Sequence, residues 1–211
     1  MDAYIETGNK VVFASAVDWP GWARKAKSED EAVESLLAYG PRYASAIASA
    51  RLGFKVPKSM RVVERVKGGS GTDFGVLSIS PKADDRPVSA KELRRQIKLL
   101  RASWATFDAM AKKHARKKLR TGPRGGGRDL RKMTGHVFEA DVSYLSCIGA
   151  KYKGSDMDEL REAFLRRLEA HWRGEPLENK RRTPPWTVRY CVRRSAWHAL
   201  DHAWEIEDRA T

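Results

Sequence analysis

The sequence predicts an α+β protein: a small α/β unit followed by a four-helix bundle. Three observations carry this reading. Up to about residue 70 the chain alternates short extended runs with turn residues and one helical stretch. From residue 89 to 211, four segments of helical periodicity follow one another, most of them with a recognisable start or stop signal. Between the two parts lies "KGGSGTDFG", residues 67–75, whose glycines punctuate the chain. The expected division is therefore 1–75 for the α/β unit, 76–88 for a linker and 89–211 for the bundle.

"AYIE" and "KVVFASAVDW" read as strands joined through "TGN", where Gly8 and Asn9 supply the dihedrals of a hairpin turn. "DWPGW" then breaks the strand. Ser28 and Glu31 form a capping-box pair ahead of a helix over 31–50, which Gly40-Pro41 interrupts. "MRVVERV", residues 60–66, alternates like a third strand. The first bundle helix starts at the Ser89/Glu92 capping box, and the second runs over roughly 128–149. A third has a start signal at Ser155/Asp158 and stops at Gly174, with Pro176 beyond it. The fourth is expected to begin at Thr183-Pro184 and to continue to about Asp208. Four helices of similar length on short or medium loops suggest a four-helix bundle.

Composition bounds the function classes. Hydrophobic residues make up 41% and charged residues 32% of the 211 positions, a globular balance. No apolar run approaches the roughly 20 residues needed to span a bilayer. "MDAYIETGNK" carries no apolar signal core, so a cytoplasmic location is expected. Cys147 and Cys191 make no disulfide framework and read as small apolar side chains on buried helices. The net charge of +14 is concentrated in "KKHARKKLRTGPRGGGRDLRK", residues 112–132, where Asp129 is the sole acid. That stretch covers a helix end, a loop and a helix start, and reads as a solvated basic corner. It lacks the interleaved aromatics on which single-stranded nucleic acids stack.

The histidines carry the chemistry. At 100° per residue the last helix has an apolar stripe of Val188, Cys191, Val192, Ser195, His198, Ala199, His202 and Ile206, with Arg189, Arg193 and Glu207 on the other side. An i,i+4 histidine pair puts two ring nitrogens within reach of one ion. The second helix adds His136 to its own stripe of Met133, Val137, Ala140 and Tyr144. Three neutral nitrogens suit zinc, nickel or iron with coordination positions left over. Asp201 and Glu205 flank the pair and can orient an imidazole through its free N–H. Glu139, three residues from His136, is the candidate acid/base. His114 lies among lysines, and His171 sits at a helix C-terminus, where a cation is favoured.

Two resemblances follow from these residues. "VVFASAVDWPGW" with "SEDEAVESLLAY" resembles the HicB-like antitoxin fold, whose small sheet unit pairs with a toxin or serves as a binding module. The bundle resembles the DinB/YfiT-like metalloenzyme group. There a histidine on the second helix ("RDLRKMTGHVFEADVSYL") and a His-x-x-x-His on the last ("AWHALDHAWEIEDR") bind one divalent metal, which His136, His198 and His202 match. The resemblance implies a thiol-dependent S-transferase or isomerase, in which the metal lowers the pKa of a low-molecular-weight thiol such as bacillithiol or mycothiol. The Arg-Gly-Gln often found after the pair is replaced here by "AWEIED". The partner expected is a small-molecule substrate, with neither nucleic acid nor membrane, and a homodimer is left open. The alternative is a non-enzymatic module that binds protein or nucleic acid through the HicB-like unit and the basic corner.

Overall fold

The computed structural model describes residues 1–121, 127–179 and 183–211. Its sheet has four strands, β1 (Asp2–Thr7), β2 (Val12–Ala16), β3 (Ala23–Ala26) and β4 (Arg61–Lys67), in the order β3-β2-β1-β4. The β1–β2 and β2–β3 pairs are antiparallel, joined by connections of four and six residues. β4 runs parallel to β1, so the chain must cross over, and it does so through α1 (Glu29–Ala38) and α2 (Gly40–Ala46). The α+β class expected from the sequence is therefore observed.

β3 was not legible in the sequence. Its "ARKA" has no apolar alternation, and it becomes a strand because the turn at Trp19–Trp22 returns the chain onto β2. Gly21 makes that turn at φ +92°, and a Cβ there would meet Leu200 Cδ1 at 3.0 Å. Ser28 Oγ accepts from the Glu31 amide at the start of α1, as its capping pair requires, and the helix breaks at Gly40-Pro41. The glycine-rich stretch expected as a turn contains a one-turn helix, α3 (Ser70–Phe74).

The bundle consists of α4 (Ala90–Lys113), α5 (Leu130–Cys147), α6 (Met157–Trp172) and α7 (Val188–Arg209). Ser89, Asp129, Asp156 and Thr187 cap their N-termini through side-chain oxygens. Two starts differ from expectation. Asp156, not Ser155, caps α6. The last helix begins at Val188, capped by Thr187, rather than at Thr183-Pro184, because Pro185 disfavours the helical region for Pro184. Cys191 is buried, but Cys147 at the end of α5 is only half-buried.

α7 is the centre of the molecule. On one side Val192, Ala199, Ala203 and Ile206 pack with Val137, Phe164 and Leu168 of the bundle. On the other, Leu200 and Trp204 join Trp22, Leu36 and Ala14 of the sheet unit, together with Leu99 and Ala102 of α4. Trp197 packs with Tyr4, Phe13 and Leu77. The stretch 76–88, expected as a linker, supplies buried Leu77 and Asp84 to this seam. Arg193, which the helical wheel set opposite the bundle core, is buried as well. It meets Asp84 through two 2.7 Å hydrogen bonds and donates to the carbonyls of Ala16 and Val17. Among the described residues no helix is long and apolar enough to cross a membrane.

Candidate metal centre

α5 and α7 run side by side, and their facing stripes bring His136, His198 and His202 together. One ligand nitrogen from each ring lies within 4.8 Å of the other two. His198 and His202 are one helical turn apart on α7, which places their ring centroids 4.6 Å from each other. His136 reaches across from α5, its Nε2 3.2 Å from His198 Nε2. Two nitrogens bound tetrahedrally to one ion at about 2.05 Å stand about 3.3 Å apart, so this spacing already fits a shared ion.

The donor chemistry fits too. His202 Nδ1 lies 2.9 Å from Glu205 Oε2, which fixes the ring's proton on Nδ1 and leaves Nε2 as the free lone pair. Glu205 is held in turn by Arg209, whose Nε and Nη2 donate to the carbonyls of Arg120 and Arg128. Burial, and then the neighbouring His202, lower the pKa of both His136 and His198, His198 more strongly. Both are therefore neutral at pH 7, the form that binds a metal. His198 Nδ1 is buried with no hydrogen-bond partner among the described residues. Its orientation rests on packing against Tyr144 and the other two imidazoles.

The cluster lines a cavity of about 620 Å³, a size suited to a small molecule. Tyr144, Arg194 and Trp197 stand beside the histidines. Arg24, Phe74 and Gly75 of the N-terminal unit, and Val76 just after it, contribute to its wall, so the sheet unit helps to build the cavity. The basic corner is mostly exposed, yet its far end, Gly127 and Arg128, also reaches the cavity. Residues 122–126 of that corner lie outside the described residues.

The flanking acids divide. Glu205 takes the orienting position expected of it, whereas Asp201 is turned to Arg24, at 3.3 Å. Glu139 is exposed on α5 and does not line the cavity, so the geometry gives it no contact with a bound molecule. The other histidines stand apart. His171 Nε2 meets the Trp186 carbonyl at 2.9 Å, and burial lowers its pKa, which disfavours the cation expected at that helix end. His114 terminates α4. Sequence reasoning missed Arg194 and Trp197 as wall residues, since an arginine among arginines on a helix carries no signal of burial. Comparison of the chain with protein-family models, with curated proteins and with solved structures gives no match.

Proposed function

We propose that this cavity is the active site of a divalent-metal-dependent enzyme of the DinB-like type, with His136, His198 and His202 as the metal ligands. The observation that carries the reading is the convergence of three ring nitrogens, from two helices, on the wall of a cavity that admits a small molecule. Three protein ligands with positions left over are the pattern of catalytic rather than structural sites. The reaction proposed is thiol-dependent S-transfer or isomerisation. A bound divalent ion supplies a Lewis acid that favours the deprotonated form of a thiol or water at neutral pH.

The remaining work falls to the chain. Glu205 and Arg209 hold the His202 ring so that Nε2 faces its neighbours. Burial raises the pKa of Tyr144, which keeps its phenol protonated as a donor at the cavity wall. Phe74 and Val76 add apolar surface that reduces the water around a bound molecule.

Elemental analysis of the untagged protein, purified without added metal, tests the metal site. A stoichiometric transition metal is expected, and His136→Ala, His198→Ala and His202→Ala should each remove most of it. Their effects should be non-additive, because the three residues act on one ion. A wild type without metal, or three single variants with full metal content, overturns the reading.

A further inference from the structure

Five arginines are buried among the described residues: Arg161, Arg167, Arg193, Arg194 and Arg209. Four have a carboxylate within 4.0 Å: Asp108 and Asp141 beside Arg161, Glu178 beside Arg167, Asp84 beside Arg193 and Glu205 beside Arg209. Arg194 forms no such pair among the described residues. Its Nη2 donates to Tyr144 Oη at 3.2 Å, and its Nε and Nη1 are buried without an acceptor among the described residues. The guanidinium carbon lies 5.3 Å from the Tyr144 ring centroid and 5.0 Å from that of Trp197, so two aromatic rings hold its position. A buried charge left without a counter-ion is costly, and folded proteins rarely keep one without a use.

Arg194 lines the cavity one helical turn before His198. Trp197, also on the wall, has a buried Nε1–H with no acceptor among the described residues. The acids around the cavity do not compensate. Asp201 pairs with Arg24, Glu205 with Arg209 and His202, and Asp208 with Arg42. The wall next to the histidines therefore carries an unpaired positive charge framed by aromatic surface, with buried donors behind it that no described residue uses.

We infer that the cavity takes a carboxylate substrate with a flat apolar body, gripped by Arg194 and seated against Tyr144 and Trp197. A carboxylate supplies the missing counter-ion and accepts from the planar guanidinium. Aromatic walls favour a flat apolar body over a compact, heavily hydrated phosphate. The inference deepens the metal-site reading, because it assigns a substrate class to that same cavity.

Calorimetric titration with benzoate, benzamide and inorganic phosphate tests it, on the zinc-loaded and on the EDTA-treated protein. The EDTA-treated protein should bind benzoate at least about tenfold more tightly than benzamide, and Arg194→Gln should erase that difference. Arg194→Lys, which keeps the charge but not the fork, should retain part of it. Equal binding of benzoate and benzamide overturns the inference, and wild type alone decides this if the glutamine variant fails to fold. Benzoate binding only with zinc, and unchanged in Arg194→Gln, places the carboxylate on the metal and overturns the role of Arg194 while sparing the metal reading. Preference for benzoate in a protein that takes up no zinc does the reverse. Phosphate binding more tightly than benzoate overturns the carboxylate class.

Discussion

Arg193 and Arg194 are adjacent in the sequence, lie on the same helix and are both buried, yet the fold treats them oppositely. Arg193 turns toward the sheet and uses four of its five N–H groups: two bonds to Asp84, and one each to the carbonyls of Ala16 and Val17. Arg194 turns toward the cavity and keeps one bond, to a tyrosine hydroxyl. A satisfied buried charge fastens two parts of a fold. An unsatisfied one in a cavity is positioned for something outside the chain. Two neighbouring arginines therefore separate the structural side of α7 from the side that carries the proposed chemistry.

Removing Arg193 should have the largest effect on stability. Arg193→Met leaves Asp84 buried with its charge uncompensated, and should cost about 3–5 kcal/mol in chemical denaturation. Arg194→Met leaves no carboxylate stranded and should change stability by less than about 1 kcal/mol in either direction. Equal losses in the two variants would break the comparison.

A third buried arginine sharpens it through pH. Asp141, beside Arg161 at 3.8 Å, has its carboxyl pushed up to about 7, chiefly by burial. In the unfolded chain it titrates near 3.8, so between these values the folded state binds the extra proton. The stability it contributes is complete below pH 3.8 and is lost as pH rises through 7. Wild type should weaken relative to Asp141→Asn across that window, by at most about 1.4 kcal/mol per pH unit. Parallel stability curves for the two proteins from pH 5 to 8 would contradict this account.

On the cavity side, Glu205→Gln should weaken zinc binding about 10- to 100-fold in a competition assay, since it loosens the His202 ring without removing a ligand. Unchanged zinc affinity would mean that the Glu205–His202 contact serves packing only. The smallest effect belongs to the basic corner. Lys117→Glu with Lys118→Glu should leave metal content intact and shift stability by no more than about 0.5 kcal/mol, because both side chains are exposed. A change confined to salt-sensitive retention on a polyanion resin is the expected outcome, and loss of metal would show that the corner supports the site.

The histidine cluster was legible because helical geometry is local. Residues four apart must share a face, and an apolar stripe on α5 had to meet one on α7 once both were in a bundle. The caps at Ser28 and Ser89 were legible for the same reason: each is a contact between residues three apart. The late start of α7 could have been read from its tandem prolines. Glu139 is near His136 in sequence, yet its side chain is exposed and outside the cavity wall, because it falls at the edge of the α5 stripe that carries His136.

The sequence by itself determined the α+β class, the position of most elements and the placing of His136, His198 and His202 on facing helix stripes, all of which follow from short-range periodicity. The tertiary structure alone decided that ARKA becomes a strand, because pairing with β2 compensates for a weak intrinsic preference. It also decided that α7 is covered on both sides, and that Arg193 finds a carboxylate where Arg194 does not. Those outcomes depend on which distant segment arrives opposite each residue. Asp84 lies 109 positions from Arg193, and no local pattern records that such a partner will come for one arginine and not for the next.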